Sequence, residues 1–270
     1  MTPTIELTET TLQDRFGLDF DELQKRLHRT DAELQEALGR EQVLEQTRAF
    51  IAHEFRNTIT PLSVYAQMLA EELAKPELNK EKLSKLTERI IKHTHTASDI
   101  VDEYVDYSRP LKPDFQLVDI GLLLQEVAAQ YKTLCATQNI EIFSKLDVPV
   151  KAEADRQMLA QVFHHLLENA IEAMTKGGYL SIEAIPGNDV VFIGIGDEGD
   201  GVVDEYLAHA FELGFTTKLG RRSAGIGLAL ARRIIEAHNG TIKIENKLHE
   251  RGARVIIALP TSQPGNSCDK

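Results

Sequence analysis

His53 stands in the run Ala52-His53-Glu54-Phe55-Arg56-Asn57-Thr58, where an imidazole has a carboxyl beside it and an amide four residues on. On a helix advancing about 100° per residue, Ile51, Phe55, Thr58, Leu62 and Tyr65 fall within one narrow arc, and His53 projects opposite to it. That places the ring in solvent, with Asn57 on the same face one turn away and Glu54 on its flank. A neutral imidazole that titrates near neutrality is a good nucleophile, and a neighbouring carboxylate can hold the proton on one ring nitrogen while the other attacks. A lone exposed histidine is usually just solvated, so the case for chemistry rests on what else the chain carries. His93 and His95 lack an adjacent acid with an amide one turn later and read as structural or surface residues.

Further segments supply the missing context. In His165-Leu166-Leu167-Glu168-Asn169-Ala170 the first and fifth residues share a helix face, and Asn169 offers a neutral oxygen to a hard cation, which suits Mg²⁺ carried by nucleotide phosphates. The apolar run Val191-Phe192-Ile193-Gly194-Ile195-Gly196 delivers Asp197 into the turn Glu198-Gly199-Asp200-Gly201. A carboxylate there can accept a hydrogen bond from an exocyclic amine, while Gly199 and Gly201 allow a tight backbone and a close ligand. Phe211-Glu212-Leu213-Gly214-Phe215-Thr216-Thr217-Lys218, with Arg221 and Arg222 after it, gathers aromatics and cations in an otherwise acidic chain, as phosphate contact requires. Ser223-Ala224-Gly225-Ile226-Gly227-Leu228 then opens a helix whose free amides favour phosphate.

Two common nucleotide motifs are excluded. No G-x-x-x-x-G-K-[ST] loop occurs. Gly194, Gly196 and Gly199 do spell G-x-G-x-x-G, but Asp197 would confront a pyrophosphate and no helical pattern opens at that point, so the match is coincidental.

The elements that must hold these residues follow from periodicity. Apolar residues alternate in steps of three and four from Phe20 through Leu23, Leu27, Leu34, Ala37 and Leu44, a coiled-coil lead-in; Thr30-Asp31-Ala32-Glu33 equally spells a capping box at which a helix begins afresh. The stripe that carries His53 continues to Leu69 and stops at the polar residues 74–80. A second stripe, Leu83, Leu86, Ile90, Ala97, Val101 and Tyr104, runs to Ser108 before Pro110 and Pro113. These predict an antiparallel hairpin, and one hairpin has too little to pack against, so pairing with a second copy as a four-helix bundle is expected.

After Pro113 strands alternate with helices. Strands are expected at 115–118, 140–146, 150–153, 179–185, 190–195, 241–245 and 253–259. Helices are expected from Ile120, over 156–174 and over 224–238, with a glycine-rich loop at 197–223 and a frayed tail from Thr261. The fold class is therefore multidomain: a helical hairpin followed by an α/β sandwich with a mixed sheet. The divisions are a lead-in at 1–40, the hairpin domain at 41–110, the sandwich at 114–262 and a tail at 263–270.

Composition narrows the functional classes. With 270 residues, 42% of them hydrophobic, the chain can bury a core in each of two domains. A net charge of −12 gives no electrostatic footprint for nucleic acid. Cys135 and Cys268 spell neither a disulfide framework nor a metal cluster, which fits a reducing cytoplasm. No signal peptide or membrane-length apolar run is present, so the expectation is a soluble protein or the cytoplasmic part of a membrane sensor.

Over residues 41–260 the motifs resemble those of the sensor histidine kinases: an H box at His53, an N box at Asn169, a glycine box Asp197-x-Gly199-x-Gly201, an F box at Phe211 to Lys218 and a second glycine box at Gly225-x-Gly227-Leu228. The resemblance implies a dimerisation and phosphotransfer hairpin joined to an ATP-binding sandwich of the gyrase and Hsp90 type. It implies His53 as phosphoacceptor, Glu54 as its acid/base neighbour, Asn169 as ligand of Mg²⁺ and Asp197 as partner of the adenine amine. Gly199, Gly201, Gly225 and Gly227 would shape the pocket, with Thr217 and Lys218 in an ATP lid. Asn57 would position water for dephosphorylation of a response regulator, the implied receiver of the phosphoryl group, with an upstream sensor domain or protein supplying the signal.

The chain departs from the family pattern at Thr58 and Ser223, where proline and glycine are frequent, and at His165, where asparagine is frequent. Pro61 matches a second proline of some nitrogen-regulation-type kinases. The competing readings are a same-superfamily ATPase or serine kinase, which would not need His53, and a non-catalytic dimeric scaffold.

Overall fold

The computed structural model describes residues 56–146, 149–216, 225–248 and 251–263. All belong to the unit Glu54–Lys270. The unit Met1–His53, and with it the expected lead-in, lies outside the described residues.

Helix α1 is described over residues 56–73, and after a turn helix α2 runs over Lys80–Ser108. Asn79 starts α2 by accepting the Lys82 N–H on its side chain at 3.0 Å, which satisfies one of the helix's free donors. The turn is closed by Glu72, buried at the end of α1, whose carboxylate pairs with Lys75 at 2.8 Å and Lys82 at 2.9 Å. Those two ammonium groups hold its carboxyl below the ordinary range.

The covered stripe of α1 carries Thr58, Leu62, Tyr65 and Leu69, as its spacing predicts. That of α2 differs in one place. Ile100 is 3% exposed and Val101 37%, because strict three-four alternation from Ala97 arrives at Ile100. The same alternation brings His93 into the seam, where its ring meets Tyr65 at 5.5 Å.

The sandwich begins with β1 (Gln116–Asp119), α3 (Ile120–Gln130), α4 (Lys132–Thr137), β2 (Ile140–Lys145), β3 (Lys151–Ala154) and α5 (Arg156–Ala173). It continues through β4 (Gly178–Pro186), β5 (Val190–Gly196), α6 (Asp204–Leu207), α7 (Gly227–Ala237), β6 (Thr241–Asn246) and β7 (Ala253–Pro260). The main sheet has the order β2-β4-β5-β7-β6, with β2 parallel to β4 and every other pair antiparallel; β1 and β3 form a separate antiparallel ladder. One face is covered by helices: Leu180 and Ile182 of β4 and Ile193 of β5 are buried, as are Phe163 and Leu167 of α5 and Leu230 and Ile234 of α7. The alternation of buried and half-exposed positions along β4 is the period-two pattern of such a half-covered sheet.

Aspartates set the helix starts. Asp119 accepts from Leu122 N–H, and Asp155 from Gln157 and Met158 N–H, at about 3 Å each. His238, fully buried, accepts the Asp155 N–H on Nε2 at 3.0 Å and donates from Nδ1 to the Ile234 carbonyl at 2.7 Å. Burial pushes its pKa down, so this bridge between α5 and α7 is a neutral imidazole.

The structure corrects three expectations. Helix α7 starts at Gly227, not Ala224, because Gly225 has φ +74°, a conformation that no right-handed helix contains. The loop after Asp197 holds a helical turn, α6, too short to leave a periodic signal. The tail is not frayed from Thr261: Thr261 accepts from Glu153 N–H at 2.9 Å, and buried Gln263 bonds to Glu153, His238 and Asn239.

No described helix is long and apolar enough to cross a membrane.

Candidate functional site

Strand β5 ends in Gly194-Ile195-Gly196, and both glycines are there for packing. A Cβ on Gly194 would lie 2.7 Å from the Glu183 carboxylate and 2.9 Å from Arg254, which pair across the open face of the sheet at that point. A Cβ on Gly196 would lie 2.7 Å from the Ser181 hydroxyl. These are strand residues with no helix behind them, which disposes of the dinucleotide match.

Asp197 follows directly, and it is buried. Its Oδ1 accepts from Gly199 N–H at 2.8 Å and from Ala253 N–H at 3.3 Å. Burial pushes its pKa up, and the amide donors act in the opposite sense. Gly199 is tight against the end of α5, where a Cβ would come 2.8 Å from the Ala173 carbonyl oxygen. Gly201 has φ +76°, as its expected turn role requires.

A cavity of about 790 Å³ brings together Asn169, Asp197, Gly201, Phe215, Gly225, Gly227 and Leu228. Ile195, Ala210, Ile244 and Val255 give it an apolar side; Asn169, His165 and Gln161 give it a polar one. Gly199 instead lines a neighbouring cavity of about 440 Å³ with Lys176, Glu198 and Arg251, and Phe211 is half-buried and lines neither. Gly227 serves His165 as much as any ligand, since a Cβ there would lie 2.9 Å from His165 Nδ1. Burial pushes the His165 pKa down, so the imidazole is neutral.

Asn57 is exposed on α1. His53, Glu54, Thr217 and Lys218 lie outside the described residues.

A further part of the lining comes from α2, which the sequence reading did not assign to the site. Asp99, Asp102, Glu103 and Asp106 line the cavity alongside α5. Their three-four spacing on one helix was a legible signal. Around them α2 is held by Gln161 Nε2, which donates to Asp106 at 2.9 Å, and by Arg233, whose guanidinium lies 4.6 Å over the Tyr107 ring and donates to the Tyr107 carbonyl oxygen. Tyr131, also missed, donates its hydroxyl to Glu168 at 3.0 Å and meets His164 Nδ1 at 2.9 Å.

Within this part of the lining Glu103 Oε2 is buried and accepts no hydrogen bond. Burial, then the charges of Glu168, Asp99 and Glu172, push its carboxyl up to about 7. A raised carboxyl pKa stabilises the fold fully only below the unfolded-state value, and that stability is lost as pH rises through about 7. Thermal unfolding of the wild type is therefore expected to shift down by several degrees as pH rises from about 4.5 to about 7 and to level off above that, the penalty being at most about 3 kcal/mol. Glu103→Gln should flatten that slope; an unchanged slope in the variant would assign the pH dependence to another group.

Comparison with known proteins places these features in a family. Residues 44–112 match the His Kinase A (phospho-acceptor) domain, and residues 154–263 match the histidine kinase-, DNA gyrase B- and HSP90-like ATPase. The catalytic domain of histidine kinase ThkA superposes with a TM-score of 0.51 at 30% identity, over 55% of this chain and 97% of that one. The chain belongs to the sensor histidine kinases. The structure of ThkA in complex with response regulator protein TrrA superposes with a TM-score of 0.67 at 26% identity, over 85% of this chain and 66% of that one. Among curated histidine kinases, the signal transduction histidine-protein kinase AtoS of Escherichia coli (strain K12) is 31% identical over 225 residues, 83% of this chain and 36% of AtoS. Sporulation kinase B of Bacillus subtilis (strain 168) is 25% identical over 82% of this chain and 51% of its own length. The chain thus spans about a third to three-fifths of the length of curated kinases such as these. The fold has the family's helical hairpin and mixed-sheet ATPase layer.

Proposed function

We propose that the chain is an ATP-dependent histidine autokinase that phosphorylates His53 and passes the phosphoryl group to an aspartate of a response regulator. The observation that carries this reading is the single cavity in which Asp197, Asn169 and the Gly225–Gly227 helix start meet, in a chain that also bears His53-Glu54-x-x-Asn57.

The lining fits ATP: apolar residues for a flat base, and a buried carboxylate whose donors among the described residues fall on Oδ1, so that Oδ2 would accept from the adenine amine. It also fits Mg²⁺ that arrives with the nucleotide. Among the described residues no group of three or more His, Cys, Asp or Glu could hold a metal ion, and Asn169 offers one neutral oxygen to an ion otherwise ligated by phosphate and water. Bound Mg²⁺ would neutralise charge on the transferring phosphoryl group. Phe215, Thr217, Lys218 and Leu228 would flank the nucleotide, Gly201 and Gly225 would give the pocket its turns, and Gly199 would fix Asp197 through its N–H.

His53 then attacks the γ-phosphorus through one imidazole nitrogen, with Glu54 holding the proton on the other. The nitrogen–phosphorus bond forms as the bond to the ADP oxygen breaks, and ADP leaves. In the second step an aspartate carboxylate of the regulator takes the phosphoryl group and His53 is restored. Asn57, on the exposed face of α1, would position water for the reverse control, dephosphorylation of the regulator. The exposed apolar residues Ile59, Val64 and Met68 of α1 and Ile91, Val101 and Val105 of α2 support a homodimer in which a second hairpin covers them. A cytoplasmic setting, under an upstream sensor domain or protein, fits this role.

Incubating the protein with γ-labelled ATP and Mg²⁺ tests the proposal. Label on the protein that is lost in acid and kept in alkali supports it. Nucleotide binding with no label, or acid-stable label, replaces it with the scaffold or the serine kinase reading.

A further inference from the structure

Asn246, the last residue of β6, has a side chain that does more than end a strand. Its Oδ1 accepts the Val202 N–H at 2.8 Å, and its Nδ2 donates to the Val202 carbonyl oxygen at 2.6 Å. One amide thus satisfies both backbone polar groups of a residue that lies in neither helix nor strand, the way a neighbouring strand would. Nδ2 also donates to the Asp204 carboxylate at 3.1 Å, at the first residue of α6.

What is held is a wall of the cavity. Gly201 and Val202 both line it, and Gly201 sits so close under the amide that a Cβ would meet Asn246 Oδ1 at 3.0 Å. A second line of contact runs through α6: Tyr206 meets Phe215 edge-on at 5.5 Å between ring centres, and Phe215 is also a lining residue.

The other end of the same loop is fixed by the same hairpin of strands. Asn246 pairs with Ala253 in the β6–β7 register, and Ala253 holds Asp197 twice: its carbonyl accepts the Asp197 N–H at 3.0 Å and its N–H donates to Asp197 Oδ1. Two register partners therefore grip the loop at Asp197 and at Val202. Gly252, with φ +99°, permits this, since a Cβ there would lie 2.0 Å from the Asp197 carbonyl oxygen.

We propose that Asn246 is a positioning residue for the nucleotide, setting the distance between the Asp197 carboxylate and the Gly201–Val202 wall through its paired bonds to Val202. The proposal rests on the reading of this cavity as the ATP site. It assigns Asn246 to affinity for the nucleotide and not to the rate of phosphoryl transfer, because none of its contacts reaches the polar side of the cavity where Asn169 stands.

The test measures binding of a non-hydrolysable ATP analogue, and the KM for ATP and kcat of self-labelling, for the wild type, Asn246→Ala, Asn246→Asp and Lys243→Ala. Lys243 lies on the same strand, exposed and paired with Glu245, and serves as the control. Loss of two hydrogen bonds that order the wall should raise the analogue Kd and the KM of Asn246→Ala about tenfold, with kcat within about twofold and Lys243→Ala unchanged. Asn246→Asp keeps the shape and the Oδ1 acceptor but loses both donors, so it should weaken binding too and covers the case in which the alanine variant does not fold. Unchanged KM in the folded variants, or a fall in kcat at unchanged KM, overturns the proposal. A wild type that binds no analogue overturns the ATP-site reading instead, so the two failures are told apart.

Discussion

Replacing His53 with glutamine should abolish the acid-labile label while leaving the affinity for ATP within about twofold of the wild type. Glutamine keeps a polar side chain of similar reach but offers no nucleophilic nitrogen, since its amide lone pair is delocalised. Loss of a nucleophile costs on the order of 10³-fold or more, which in a labelling assay is absence of signal. Affinity should survive because the described part of the cavity is built from Asp99 onward. Equal labelling of His53→Gln would move the acceptor elsewhere, and His93 and His95 would be next in line. His93 is already half-buried against Tyr65, so exposed His95 would be the first of the two to test.

The second large effect is expected at Asp197→Asn, and it differs in kind: nucleotide affinity and label at limiting ATP should fall together. The substitution is nearly isosteric, and asparagine Oδ1 still accepts from Gly199 and Ala253, so the turn keeps its shape. What changes is the other atom, which becomes an NH₂ donor facing the adenine amine. A buried donor set against a donor costs about 1–3 kcal/mol, so the Kd should rise by roughly 10- to 100-fold. Calorimetric titration with a non-hydrolysable analogue measures it directly. Retained affinity in Asp197→Asn would mean that the carboxylate is not the base contact. Together the two variants separate the acceptor from the nucleotide pocket: one binds normally without labelling, the other labels only as far as its weakened binding allows.

The sequence was most legible where signals are contiguous. The strand pattern at 179–185 and the three-four seam of the hairpin are local patterns, and each element they announce is present. The motifs at Asn169, Asp197 and Gly225–Gly227 are likewise short runs, and the fold gathers them into one cavity. Local patterning fails by a step where two registers are nearly equal. Val101 and Ile100 are adjacent apolar residues, and the fold buries Ile100. It fails outright for residues whose role is set by a distant partner. Asn246 lies 44 positions from Val202, and Tyr131 37 from Glu168, so nothing in their own neighbourhoods marks them. The acidic stripe of α2 lies between these cases: its spacing was visible, but that it faces the cavity follows only from the packing of α2 against α5 and α7.

The stitches made by Thr261 and Gln263 bear on how this polypeptide can be handled at the bench. Gln263 ties the backbone of β3 to the carbonyl at the end of α7, directly over the buried His238. A shortened gene that stops at Pro260 would strip hydrogen bonds from Glu153, Asp189, His238 and Asn239 at once and let water reach that imidazole, so its product should be less soluble than one ending after Gln263. Fluorescent tags and purification handles are accordingly best joined beyond Gln263, where their attachment leaves this seam closed.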